Sequence, residues 1–246
     1  MVHEKDSMTK QQEVILRLEK GPLFIDGGNP EAPLWICAIE YGMEKKGGIK
    51  KLKKDFDNTG LKRKPIPNWD KESPQFFEAI AKQPHHRDVA KMLMGYLDKR
   101  AEDWSSYIKA GGYGRSKGDF FKLNLFPVRA NGQKQWLRKH AELTGFKNRA
   151  TYSYWARRNY FPRLRELVKE YKPKIVLGTG IGCCVDFLDV FGADDCRCDF
   201  VKQGPLMVWK FNKLKRAVVV SRFLSRWSTK DLVKLGKKLK NLLKPQ

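Results

Sequence analysis

The sequence predicts an α/β fold with a largely parallel sheet and helices on both faces. Several short apolar runs are of strand length and almost unbroken by polar residues, and segments of helical periodicity separate them. Strands buried on both faces read as continuous apolar runs, the pattern of parallel sheets. Their alternation with helices defines the class. The 246 residues are expected to form one domain, 1–246, long enough to bury a core without disulfides or a structural metal.

Residues 8–20 carry apolar side chains at helical spacing and end at Gly21, a natural C-cap, so a helix opens the chain. The turn residues Asp26-Gly27-Gly28-Asn29-Pro30 follow, and Leu34–Ile39 is the first buried strand. Three further runs read as strands: Phe120 to Val128, Lys174 to Leu177 before Gly178-Thr179-Gly180, and Ala217 to Val220. Leu206 to Phe211 is an antiparallel or edge candidate. Helical patterns cover 75–99, 133–144, 157–171, 181–190 and 229–243. Sheets of this kind hold ligands at the carboxyl ends of their strands, so the loops after Ile39, Leu125, Leu177 and Val220 are where a site is expected.

Charge is the largest departure from ordinary composition: 50 Lys and Arg against 27 Asp and Glu leave +23. Such a surface repels itself unless a polyanion neutralises it, which makes a polyanion the expected partner, and DNA the one that the resemblance described below implies. A basic insertion at about 43–70 contains Lys45, Lys46, Lys50, Lys51, Lys53, Lys54, Lys62, Arg63 and Lys64. The glycine-rich loop from Gly111 to Gly118 is basic as well. The final helix, 229–244, has leucines on one side and lysines elsewhere; docking on the sheet is the commoner reading of that pattern and lying on an anionic membrane the other. No window approaches the ~18 apolar residues of a spanning helix, and Met1–Thr9 has no apolar core of a signal peptide. The expectation is a cytoplasmic monomer with no membrane or obligate protein partner. Cys37, Cys183, Cys184, Cys196 and Cys198 are odd in number and lack the Cys-x2-Cys spacing of a metal site, so reduced thiols and no metal or other cofactor are expected. His85 and His86 follow Pro84 at a helix edge and are expected to face solvent.

Four segments carry a resemblance. Asp26 to Gly42 joins a Gly-Asn-Pro turn to an apolar strand ending in Glu40-Tyr41-Gly42; Lys122-Leu-Asn-Leu-Phe-Pro-Val-Arg129, Phe161 to Gly178, and Val218-Val-Val-Ser-Arg-Phe-Leu-Ser225 follow in order. Together they resemble the uracil-DNA glycosylase superfamily over roughly residues 22–230. The resemblance implies a three-layer α/β/α fold around a central, largely parallel four-stranded sheet. It also implies a monofunctional DNA glycosylase that flips a damaged or modified pyrimidine and hydrolyses its N-glycosidic bond.

On that resemblance Glu40 is the catalytic acid. Hydrolysis builds positive charge on the sugar, which a strand-end carboxylate stabilises while steering water. Asn124 interrupts an apolar run, and its amide offers the donor and acceptor that suit a pyrimidine edge; capping a neighbouring strand is the equal alternative. Gly42 stands where one branch of the superfamily closes the pocket with Tyr, leaving room beside C5 of the base. Tyr41 stacks on the base or fills core. Ser221 or Arg222 stands where the superfamily has His, and Leu224 is the wedge that replaces the extruded base, with Phe223 in that role or plain core packing of Leu224 as the alternatives. Arg129 resembles an Arg that follows the Asn strand, although a phosphate contact uses the same residue type. Lysines of the insertion hold phosphates. The base is uracil or a bulky 5-substituted pyrimidine such as glucosylated hydroxymethylcytosine, whose excision serves anti-phage defence in some relatives. The competing expectation is a catalytically silent nucleic-acid-binding protein on the same fold.

Overall fold

A computed structural model describes residues 9–20, 23, 25–40, 50, 54, 66–130, 135–192 and 197–244. The chain groups into two compact units, each assembled from separate stretches. One contains 25–39, 66–125 and 165–246, and the other contains 1–24, 40–65 and 126–164.

The first unit holds one mixed, seven-stranded sheet of order β1-β3-β2-β4-β7-β6-β5. Its strands are β1 (Ile25–Gly28), β2 (Leu34–Ala38), β3 (Phe120–Asn124), β4 (Ile175–Thr179), β5 (Asp199–Gln203), β6 (Leu206–Phe211) and β7 (Arg216–Ser221). β3, β2, β4 and β7 are parallel neighbours. β1 joins antiparallel beside β3, and the β5–β6 hairpin extends the sheet antiparallel from β7. The sheet therefore has more strands than the four expected. Of the extra strands, β6 is the antiparallel candidate of the sequence. β1 falls on a turn-rich string, where pairing with β3 overrides the weak strand propensity of Gly27 and Gly28. β5 is exposed along its whole length and leaves no burial signal in the sequence. β3 stops at Asn124, short of Val128.

Each parallel strand is buried on both faces, as its unbroken apolar run requires. On one face Leu34, Ile36, Phe120, Ile175, Leu177 and Val219 pack with four helices: α2 (Pro74–Lys82), α3 (Pro84–Tyr96), α4 (Trp104–Lys109) and α9 (Thr229–Asn241). The predicted helix over 75–99 is two helices, because Pro84 cannot donate to the preceding turn and Gln83 adopts an extended conformation. α9 docks through Leu232, Leu235 and Leu239, the commoner reading of its pattern. It meets α3 at Gly95 and Gly236, where a Cβ on either glycine would strike the other helix's backbone. On the opposite sheet face α8 (Cys184–Gly192) lays Phe187 against Gly178.

His86 is buried, contrary to expectation. Its Nδ1 lies 3.0 Å from the hydroxyl of Tyr113, and Trp69 packs edge-on against it at 5.6 Å. The solvent-facing expectation failed because the first turn of α3 lies under Trp69 and Tyr113, both distant in sequence. Burial pushes His85 down to about 4 and His86 down to about 3. Lys122 forms a buried ion pair with Asp26, tying β3 to β1.

The second unit contains α1 (Lys10–Lys20), α5 (Arg138–Thr144) and α6 (Arg149–Trp155). A π-helical turn over Ala156–Tyr160 follows α6, and Phe161–Tyr171 continues as α7. The helix read at 157–171 thus begins upstream, at the Asn148 cap. Arg163 donates to the carbonyl of Leu18 at 2.7 Å, and Trp155 donates to Glu19 at 3.2 Å, so α1 is anchored. Among the described residues no helix is long and apolar enough to cross a membrane.

Two outcomes test this packing. Gly95→Val forces the α3–α9 crossing apart and is expected to cost about 3 kcal/mol in urea unfolding. Below pH ~6.5 an unfolded histidine binds a proton that half-buried His85 and buried His86 refuse. Stability is therefore full at neutral pH and falls as pH drops from 6.5 toward the folded values near 4 and 3. The melting temperature should decline between pH 7 and pH 5, less steeply in His86→Asn; equal slopes would show that His86 is not refusing the proton.

Candidate functional site

Two groups of polar side chains stand where the sequence places a site, one in each unit. The first is Glu40, two residues beyond the end of β2. Its side chain is only 4% exposed and forms an ion pair with Nη2 of Arg149, itself 8% exposed. Ring faces hold the guanidinium: its carbon lies 5.1 Å from Phe126, 5.8 Å from Trp136 and 5.0 Å from Tyr152. Those rings are fixed in turn. The Tyr152 hydroxyl accepts from the backbone N–H of Val128 at 2.9 Å, and Trp136 stacks on Tyr152 at 4.9 Å while donating to the carbonyl of Phe146 at 2.8 Å. Of the three guanidinium nitrogens, Nε and Nη1 are buried without a hydrogen-bond partner among the described residues.

The segment after β3 is held in this same unit. His140 Nδ1 accepts from the Leu137 N–H at 3.0 Å. Its proton is therefore on Nε2, which donates to the Arg129 carbonyl at 2.8 Å. Burial lowers the pKa of His140, while these backbone contacts oppose the shift. Arg129 is thereby fixed through its main chain, with its side chain half-buried.

The second group lies across the parallel strands. In register, Asn124, Ala38, Thr179 and Ser221 stand side by side at the carboxyl ends of β3, β2, β4 and β7. Side chains alternate along a strand, so all four share the face of Phe120, Ile36, Leu177 and Val219, packed beneath the helices. Asn124 is 1% exposed, Thr179 2% and Ser221 0%. The Asn124 amide nitrogen is buried and has no hydrogen-bond partner among the described residues, which costs about 1–3 kcal/mol in a folded protein. Ala38, with only a methyl, sits between Asn124 and Thr179. Beyond the row, the positive φ of Gly180 lets the chain turn tightly over Ile39, and its N–H donates to the Ser221 carbonyl at 2.7 Å.

The last motif divides its residues. Ser221 is buried, and its hydroxyl donates to the Arg222 carbonyl at 2.9 Å. Arg222 is exposed, its guanidinium 5.0 Å over the Trp227 ring. Leu224 is a correction: at 2% exposure it belongs to the core cluster, whereas Phe223 is 46% exposed. A wedge has to project from the surface, so the loop offers Phe223 for that role. The short helical turn Leu224–Arg226 points Leu224 inward, and the sequence does not announce it.

Lys50 and Lys54 are exposed helical positions. Tyr41, Gly42, Lys45, Lys46, Lys51 and Lys53 lie outside the described residues. Cys37, Cys183, Cys184 and Cys198 are outside any disulfide, and burial pushes Cys37 and Cys184 above the usual thiol range. Among the described residues no cluster of His, Cys, Asp or Glu is arranged to hold a metal ion.

Sequence reasoning missed Arg149 and Thr179. Arg149 had a signal: a basic residue directly after the Asn148 cap, at the helix end where cations are disfavoured. Thr179 becomes visible only from the register of β4 against β2 and β7. Compared with known proteins, the chain matches no family model, and no curated protein matches it.

If Asn124 is kept for a ligand and not for the fold, Asn124→Leu should leave the unfolding free energy unchanged or raise it by about 1 kcal/mol. A loss beyond about 1 kcal/mol would make the amide structural.

Proposed function

We propose that the protein is a monofunctional DNA glycosylase in which Glu40 activates water and Asn124 reads a flipped pyrimidine. The observation that carries the reading is the buried, unpartnered amide nitrogen of Asn124 at the carboxyl end of a central parallel strand. A buried donor kept without a partner is expected where a ligand supplies one. A pyrimidine edge presents a carbonyl for the amide N–H and a ring N–H or exocyclic amine for the amide oxygen.

The reaction asks little of the protein beyond placement and charge. The bond between C1′ and the base nitrogen breaks, its electron pair leaves with the base, and positive charge grows on the sugar. The Glu40 carboxylate stabilises that charge and takes the proton of the attacking water, whose oxygen bonds to C1′. The products are an abasic sugar bearing a C1′ hydroxyl and a free base, which takes up a proton. Arg222, exposed beyond β7, is the residue of its motif able to reach an incoming strand, and Phe223 supplies an apolar side chain for the vacated stack. The +23 charge supplies the nonspecific attraction to phosphate. The finer fold reading, three layers around the parallel strands, belongs to the same proposal. So do a cytoplasmic location and a monomeric state, with uracil or a bulky 5-substituted pyrimidine as the excised base.

One observation favours the second reading, a silent DNA-binding protein: Glu40 is already paired to Arg149. Duplexes containing uracil, mismatched thymine or glucosylated hydroxymethylcytosine, cleaved with alkali after incubation, separate the two. Abasic sites should form on at least one substrate, and Glu40→Gln should slow their formation by about 10²-fold or more. Binding without Glu40-dependent abasic sites would establish the silent reading. The affinity for duplex should also fall steeply with salt, and replacing Lys50, Lys51, Lys53 and Lys54 together with Gln should flatten that slope by about 3–4. An unchanged slope would move the DNA track to other lysines.

A further inference from the structure

We propose that Arg149 is the positioning residue of Glu40, retained to hold the carboxylate ionised and aimed; the inference rests on the glycosylase reading. Its location is costly three times over. It stands at the first position of α6, directly after the Asn148 cap whose side chain accepts from the Thr151 N–H at 2.9 Å. A cation there faces the positive end of the helix. Its side chain is almost fully buried, so the charge is stripped of water. Only one of its three nitrogens meets Glu40, and Nε and Nη1 have no hydrogen-bond partner. An ion pair kept for stability would saturate its donors, because each buried unpaired N–H removes more than the pair returns.

The arrangement does fix direction. Phe126, Trp136 and Tyr152 surround the guanidinium at 5.0–5.8 Å, and both Trp136 and Tyr152 are tied to backbone groups. The plane of the guanidinium is thereby set by ring faces, leaving Nη2 to hold Oε2 of Glu40 in one orientation. A carboxylate that must steer water and face a developing cation gains from a partner that cannot swing away. Lysine has neither the plane to stack nor a second rigid donor.

The test compares wild type, Arg149→Gln, Arg149→Lys and Glu40→Gln for single-turnover abasic-site formation between pH 5 and 9, on whichever duplex the wild type cleaves. Arg149→Gln should lower the rate at pH 7 by about 10- to 100-fold, with the acid limb displaced to higher pH and duplex affinity held. Arg149→Lys should return the acid limb toward the wild-type position while leaving the rate depressed, since charge is restored without the fixed plane. If Arg149→Gln does not fold, Arg149→Lys alone carries the comparison through its lowered rate. A pH profile and rate of either folded variant superimposable on wild type would overturn the positioning role while the glycosylase reading stood. A wild type that makes no abasic site on any of these duplexes would overturn both.

Discussion

Strands covered on both faces are the constraint from which the rest of the first unit follows. β2, β3, β4 and β7 have no exposed face to carry polar residues, so chemistry is confined to their ends. There the parallel register, not the local sequence, brings Asn124, Thr179 and Ser221 into one row. The same burial makes the row expensive. Ser221 satisfies itself on the Arg222 carbonyl, while the amide nitrogen of Asn124 stays unpaired. A fold tends to breach its own rules where it has work to do.

The second unit shows the same economy by another means. Its buried cation is oriented by aromatic faces and only partly by hydrogen bonds. Ring faces attract a guanidinium without consuming its donors, so the side chain can be immobile and chemically unfinished together. His140 and Tyr152 act alongside it, fixing the segment after β3 through the Arg129 carbonyl and the Val128 N–H. The neutral His140 tautomer is dictated by the Leu137 N–H and the Arg129 carbonyl, and burial lowers its pKa beside the guanidinium.

How much was legible in the sequence depended on whether the signal was local. The four parallel strands announce themselves because burial on two faces writes an apolar run, and α9 because leucines repeat at helical spacing. β1 and β5 do not: one is made of turn residues held by pairing to β3, and the other is exposed throughout. Glu40 and Asn124 drew notice because a polar residue at the end of an apolar run is conspicuous, and the resemblance supplied the roles expected of them. Leu224 was misread, since inward or outward facing in a short loop depends on the turn that follows it. His86 was misread because Trp69 and Tyr113 cover it from distant segments. Arg149 needed its partner to be seen, as 109 residues separate it from Glu40.

The interleaving of the two units has a consequence for how this chain can be divided. The backbone passes from one unit to the other at 24/25, 39/40, 65/66, 125/126 and 164/165. Neither unit exists as a continuous stretch, so no single cut separates one of them from the other. Exchanging the segment 40–65, which begins at Glu40, therefore opens two connections to the sheet-bearing unit, at 39/40 and 65/66.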